Sequence, residues 1–166
     1  MLKWDFENAF RHIPISPIDS PLLGLCWAKR YYSELFLPFG LRTAPYLFNL
    51  FAEVFNWILV NEFMIQKKPI GIVHYLDDLL LITRGNTELE PYSQKFSELC
   101  EVVGLVIKEA KSEQGTVASF GGVEIDTESM VLRLPIKKLG KVRSMIETAI
   151  AAASLSLLEL QEITGY

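Results

Sequence analysis

An α+β fold, one antiparallel sheet with helices on one of its faces, follows from the order of elements along this chain. Two apolar runs, Gly71–His74 and Leu79–Thr83, flank a four-residue turn and read as strands of a largely buried hairpin. Upstream, residues 45–65 carry Phe48, Phe51, Ala52, Phe55, Leu59 and Phe63 at three- and four-residue spacing. That stripe is the core face of a long amphipathic helix. With a second helix after the hairpin and short strands beyond, the order is strand, helix, hairpin, helix, strand. The opposite face of the sheet is then open.

The elements follow in order. Strand-like residues open the chain, and a turn covers Glu7–Phe10. Leu22–Trp27 and Tyr31–Leu37 pair as a hairpin around Ala28-Lys29-Arg30. Pro38 and Gly40 punctuate a loop, and Thr43 can cap the long helix with Pro45 in its first turn. Gln66–Pro69 is a polar loop before the apolar hairpin. A second helix spans about Thr87–Val103, opened by Asn86 and closed by Gly104. Short strands are expected at Val106–Ile107, Phe120–Ile125 and Met130–Leu134, then helices from Ile136 to about Ala153 and from Ser156. No repeat or low-complexity segment is present.

With half its residues hydrophobic, the chain can bury one domain core with a small appendage. That composition excludes intrinsic disorder. The net charge is −4 and the pI near 5.3, so any affinity for nucleic acid must come from a local basic surface. Arg133, Lys137, Lys138, Lys141 and Arg143 form a run without an intervening acid. Such a run can meet phosphates or simply solvate a helix face. Cys26 and Cys100 stand in apolar contexts without metal-type spacing and read as free core thiols. His12 and His74 are remote from both, which argues against a zinc site. No apolar leader opens the chain, and polar residues interrupt its longest apolar helix. An intracellular protein, cytoplasmic or nuclear, without a membrane segment is expected.

The chemistry centres on Tyr75-Leu76-Asp77-Asp78, at the turn of the apolar hairpin. Neighbouring side chains on a straight strand point to opposite faces, so two adjacent carboxylates share a site only at a turn. Held together, they repel unless a cation neutralises them, and a hard divalent ion such as Mg2+ suits oxygen ligands. An Asp-Asp pair on its own merely makes a good turn. A third carboxylate, Asp5, follows a short apolar stretch far upstream, with the aromatic Phe10 five residues later. Three carboxylates from two strands suit a phosphoryl-transfer site holding two metals about 3.5–4 Å apart. Between them lies Leu37-Pro38-Phe39-Gly40-Leu41-Arg42-Thr43-Ala44-Pro45, a glycine-containing loop opening a helix, which is a ready anion site.

Taken together, these segments resemble the reverse transcriptase palm. Asp5 to Phe10 matches its A motif, an aspartate and a later aromatic. Leu37 to Pro45, with Phe48, matches the B motif L-P-F-G-L-x-x-A-P, and Tyr75 to Asp78 the C motif Y-x-D-D. Gly104-Leu105 with Lys111 looks like the D motif, and Phe120-Gly121-Gly122-Val123-Glu124-Ile125 like the E motif. The wording His74 to Asp78, with the Leu37–Arg42 block, resembles retrotransposon enzymes of the gypsy or DIRS kind.

The resemblance implies a role for each residue. Asp5, Asp77 and Asp78 would hold two Mg2+ ions, with Mn2+ able to substitute. Phe10 would be the steric gate that crowds a 2′-hydroxyl and so favours dNTPs. Phe6, Phe39, Gly40 and Tyr75 would join it in the nucleotide pocket. Lys111 would stand near the triphosphate as proton donor, with Lys108 as competitor. Phe120, Gly121, Gly122 and Val123 would grip the primer. Residues 1–128 would be the palm and 129–166 a partial thumb or connection.

The implied function is RNA-directed DNA synthesis on an RNA or DNA template-primer. The resemblance places fingers strands before the first aspartate and an RNase H segment after the thumb, which makes this chain a piece of a longer polyprotein or a palm remnant. Two other readings compete: a catalytically silent module that binds nucleic acid or protein, and an RNA-directed RNA polymerase. Phe10 argues against the last, because an RNA polymerase must admit the ribose hydroxyl.

Overall fold

The computed structural model describes residues 1–64, 70–84, 89–152 and 154–165. Strand β1 (Leu2–Asp5) leads to a 3-10 turn at Ala9–His12, entered through Asn8 in the left-handed region at φ 50°. Strands β2 (Gly24–Trp27) and β3 (Arg30–Ser33) then form a hairpin. Its turn is Ala28-Lys29 alone, because Arg30 already pairs with Trp27. Helix α1 spans Ala44–Met64, and β4 (Ile70–Tyr75) and β5 (Asp78–Thr83) form the predicted apolar hairpin. Helix α2 covers Glu90–Val103 and is closed by Gly104, as expected. Its expected opening at Asn86-Thr87 and the Gln66–Pro69 loop lie outside the described residues.

The main sheet has the order β4-β5-β1 and a fourth strand, β6, a two-residue piece at Glu113–Gln114. Every pairing in it is antiparallel. Alternation assigns its faces. Leu2, Trp4, Leu79 and Leu81 join Phe48, Phe55, Leu59, Tyr92 and Phe96 of the two helices in one core. Trp4 stacks on Phe96 with ring centroids 4.0 Å apart, and Phe6 meets Phe55 edge-on at 5.7 Å. The predicted helix stripe is therefore core through Leu59, while the Phe63 side chain lies outside the described residues.

Four expectations change here. Val106–Ile107 is no strand of the sheet, only a single bridge from Ile107 to Phe6. Phe120–Ile125 is not one strand but a hairpin, β7 (Val117–Phe120) and β8 (Val123–Asp126), joined through Gly121-Gly122. Both glycines have positive φ, 56° and 85°, as a two-residue type I′ turn demands. The third concerns the open face. Ala118, Phe120 and Ile125 of the hairpin pack with Met1, Leu80 and Ile82, covering one end of that face and leaving the aspartate end clear. Cys100 is a buried thiol as expected, but Cys26 is exposed on β2, whose hairpin stands away from the core.

Strand β9 (Val131–Arg133) pairs with β8, and helices α3 (Ile136–Ala151) and α4 (Leu157–Thr164) complete the described chain. Ser156 caps α4 through a reciprocal capping box with Glu159. Among the described residues, no helix is long and apolar enough to cross a membrane.

Candidate active site

Asp5 ends β1 and Asp78 begins β5, and the two are direct partners in the antiparallel register. Cross-strand partners stand about 4.5–5.5 Å apart at Cβ, so the carboxylates face one another on the clear end of the sheet. Asp77 occupies the two-residue turn with Leu76, whose φ is +53°. A positive φ on leucine is strained, the kind of local cost that concentrates at functional turns. The turn is tied to β1 by the Phe6 N–H, which donates to the Asp77 carbonyl at 3.2 Å.

The segment after α2 runs beside this end of β1. The Glu7 N–H donates to the Val106 carbonyl at 2.8 Å, and the Lys108 N–H to the Asp5 carbonyl at 2.8 Å. A single 3-10 turn, Glu109–Lys111, then swings Lys111 back so that its Nζ donates to Asp5 Oδ2 at 2.9 Å. Asp5 is only 5% exposed, while the Lys111 side chain keeps 54% of its surface in solvent. The Asp5 hydrogen bond and charge, with smaller contributions from Asp77 and Asp78, raise the Lys111 ammonium above its ordinary value. All three carboxylates therefore act on one lysine.

Asp78 has a different cation, which sequence reasoning missed. Lys3 Nζ lies 3.5 Å from Asp78 Oδ1 and 4.0 Å from Glu113 Oε1. The available signal was period two: Lys3 precedes Asp5 by two residues on β1 and shares its face. Glu113 faces Lys3 because β6 pairs with β1, a contact that no local pattern announces. Burial, then the nearby charges of Asp5 and Asp77, pushes the Asp78 carboxyl up, against the pull of Lys3.

A cleft of about 180 Å3 opens beside these carboxylates, lined by Asp5, Phe6, Asn8, Ala9, Phe10, Phe39, Asp77, Lys108 and Lys111. Phe39 reaches it because the chain from β3 is pinned alongside the 3-10 turn. Arg11 pairs with Glu34, and the Leu37 N–H donates to the Ile13 carbonyl at 3.0 Å. The Phe10 ring sits 5.4 Å from Phe39 and 5.9 Å from Phe48, so the core of α1 buttresses it from behind. Gly40, at φ +88°, turns the chain just after Phe39.

The predicted site residues thus fall into two groups. Asp5, Asp77, Phe10, Phe39, Lys108 and Lys111 share the cleft, with Asp78 opposite Asp5. Phe6 borders it too, but its ring is 4% exposed and packed against Phe55 and Phe96. Tyr75, 63% exposed beside the turn, is not among the cleft-lining residues. Phe120 to Val123 form their hairpin apart from the cleft, with Lys138 Nζ donating to the Gly122 carbonyl at 3.3 Å. The basic run is partly spent: Arg133 pairs with Glu124 and Asp126, and Arg143 with Glu147.

As it stands, among the described residues, no three carboxylate, histidine or cysteine side chains converge closely enough to hold a metal ion. Lys3 and Lys111 are instead drawn to two of the carboxylates, where cationic charge is needed. That donor chemistry, hard oxygens crowded at a strained turn, fits a divalent cation. A four-stranded antiparallel sheet with Asp5 and Asp78 paired on facing strands, Asp77 at the adjoining turn and helices behind has the architecture of a polymerase palm.

The family model for reverse transcriptase (RNA-dependent DNA polymerase) matches residues 1–143, so the chain belongs to the reverse transcriptase family. It is 27% identical over 110 residues to a genome polyprotein of Petunia vein clearing virus, covering 66% of this chain and 5% of that one. Protein P of a duck hepatitis B virus is 26% identical over 148 residues, covering 83% and 18%. Among solved structures, the foamy viral protease-reverse transcriptase in complex with RNA/DNA hybrid superposes with TM-score 0.76 at 22% identity, covering 99% of this chain and 20% of that one. The same enzyme in complex with dsDNA gives 0.71 at 22% identity, covering 99% and 31%. The chain therefore spans a small share of each relative, and the fold match extends over nearly all of it.

Proposed function

We propose that this chain is the palm, with the start of a thumb, of an RNA-directed DNA polymerase that adds dNTPs to a primer 3′-hydroxyl on an RNA or DNA template. The observation that carries the reading is the register of Asp5 against Asp78, with Asp77 at the adjoining turn and an aromatic cleft beside them. Family membership and the sheet geometry support it. The division into residues 1–128 and 129–166, and the gypsy- or DIRS-like placement, belong to the same proposal.

Asp5, Asp77 and Asp78 would hold divalent ions, Mg2+ or Mn2+, which supply an activated attacking oxygen and a stabilised leaving group. The chain's own residues do the rest. Phe10, braced by Phe39 and Phe48, would floor the sugar site and crowd a 2′-hydroxyl. Lys111, half in solvent, reaches from Asp5 towards the cleft as a proton donor to the departing pyrophosphate. The Gly121-Gly122 turn presents backbone to the primer end, and Lys137, Lys138 and Lys141 on α3 lie next along the chain for the backbone phosphates. Fingers and RNase H segments of a longer polyprotein would complete the machine.

The test is primer extension on a primed RNA template by this chain joined in cis to the fingers segment of a close relative. Extension that requires Mg2+ and disappears in Asp78→Asn is expected. Extension undiminished in that variant would overturn the assignment.

A further inference from the structure

Lys3 and Lys111 both pair with the aspartates, yet they are built differently. The Lys111 side chain is 54% exposed on a single 3-10 turn and can swing away. The Lys3 side chain is 10% exposed and rises from β1, the strand between β5 and β6. It lies between Asp78 Oδ1 at 3.5 Å and Glu113 Oε1 at 4.0 Å, one carboxylate from each neighbouring strand. Glu113 is fixed in turn, because its Oε2 accepts the Ser119 N–H at 3.1 Å. A largely buried ammonium with a carboxylate on either side is held more firmly than the half-exposed Lys111.

We propose that Lys3 is a positioning residue, a built-in counter-cation that holds Asp78 in place before metal binds and remains beside the metal afterwards. Lys111, in contrast, gives up Asp5 on metal entry. This rests on the metal-site reading above and adds a division of labour between the two lysines. One permanent ammonium offsets part of the negative charge that Asp5, Asp77 and Asp78 offer the incoming ions, so the cluster assembles without metal at the cost of some metal affinity. A unit charge and a divalent ion at close range repel, even across water, by the order of energy that changes a dissociation constant about tenfold.

The experiment compares Mn2+ titration and Mn2+-dependent melting of the full chain with those of Lys3→Met, Lys3→Arg and Glu113→Gln. Lys3→Met, similar in length and uncharged, should melt lower without metal and bind Mn2+ about tenfold more tightly. Its melting point should therefore rise further on adding Mn2+ than that of the parent chain. Lys3→Arg should restore the parent values. Glu113→Gln, which leaves Lys3 wholly to Asp78, should bind Mn2+ more weakly, and it decides the matter should Lys3→Met not fold. Were Lys3 an ordinary buried ion pair, Lys3→Met would melt lower with unchanged Mn2+ affinity, and that result overturns the proposal. So does Mn2+ affinity in Glu113→Gln equal to the parent's. A parent chain that does not bind Mn2+ at all overturns the metal-site reading itself, and is distinct from both.

Discussion

Phe10 shows how a single side chain acquires its task from what stands behind it. Its ring is wedged between Phe39 at the cleft and Phe48 in the core, so it cannot retreat from an incoming sugar. In the fingers-joined enzyme, Phe10→Ala should relax rejection of ribonucleotides while dNTP incorporation persists. A dNTP-to-rNTP preference unchanged in that variant would remove Phe10 from the role. Asp126 offers a pH test at the same scale. The Ser129 and Glu128 N–H groups, the Ser129 hydroxyl and Arg133 all serve its carboxylate, which holds it below the ordinary range. A depressed carboxyl stabilises the fold above its unfolded value, about 3.9, and that stability is lost as pH falls through the folded value. Asp126→Asn should therefore melt below the parent at pH 7, with the gap closing well below pH 3.9. A gap of constant size down to pH 2.5 would mean that the charge contributes nothing. At this scale the aspartates were legible because their residue type and turn placement are local. Lys3 and Glu113 were not, because they become a pair only through the β1–β6 register.

Elements were legible where one local period ran long enough. Helix α1 declared itself through Phe48, Phe51, Ala52, Phe55 and Leu59, and all but Phe51 are buried. Phe48 is fully enclosed, with Phe6, Phe10 and Phe51 around it. Phe48→Ala should cost about 3–5 kcal/mol of unfolding free energy, as large-to-small changes in tight cores do. A loss under 1 kcal/mol in denaturant titration would show that the site collapses around the gap. The hairpin at Asp77 was legible for the same reason, its apolar strands being six residues each. Strand β6 was hidden, since Glu113-Gln114 is too short and polar to show alternation and owes its form to β1. The split of Phe120–Ile125 was equally hidden. Apolar residues on both sides of Gly121-Gly122 look continuous until the two positive φ values fold them back.

At the scale of the molecule, the fold class was legible because the element order admits one economical sheet, and the candidate site was legible in part, since Asp5, Phe10, Phe39, Asp77 and Lys111 share the cleft while Phe120–Val123 lie apart from it. What the sequence could not show was the β7–β8 hairpin closing the other end of that face, a matter of tertiary packing between Met1, Leu80 and Ala118. The central claim is that Asp5, Asp77 and Asp78 form one divalent-cation site, and calorimetric titration of the chain with Mn2+ tests it most directly. Saturable binding is expected in the parent chain, with binding lost in the Asp77→Asn, Asp78→Asn double variant. Equal affinity in the two proteins would contradict it.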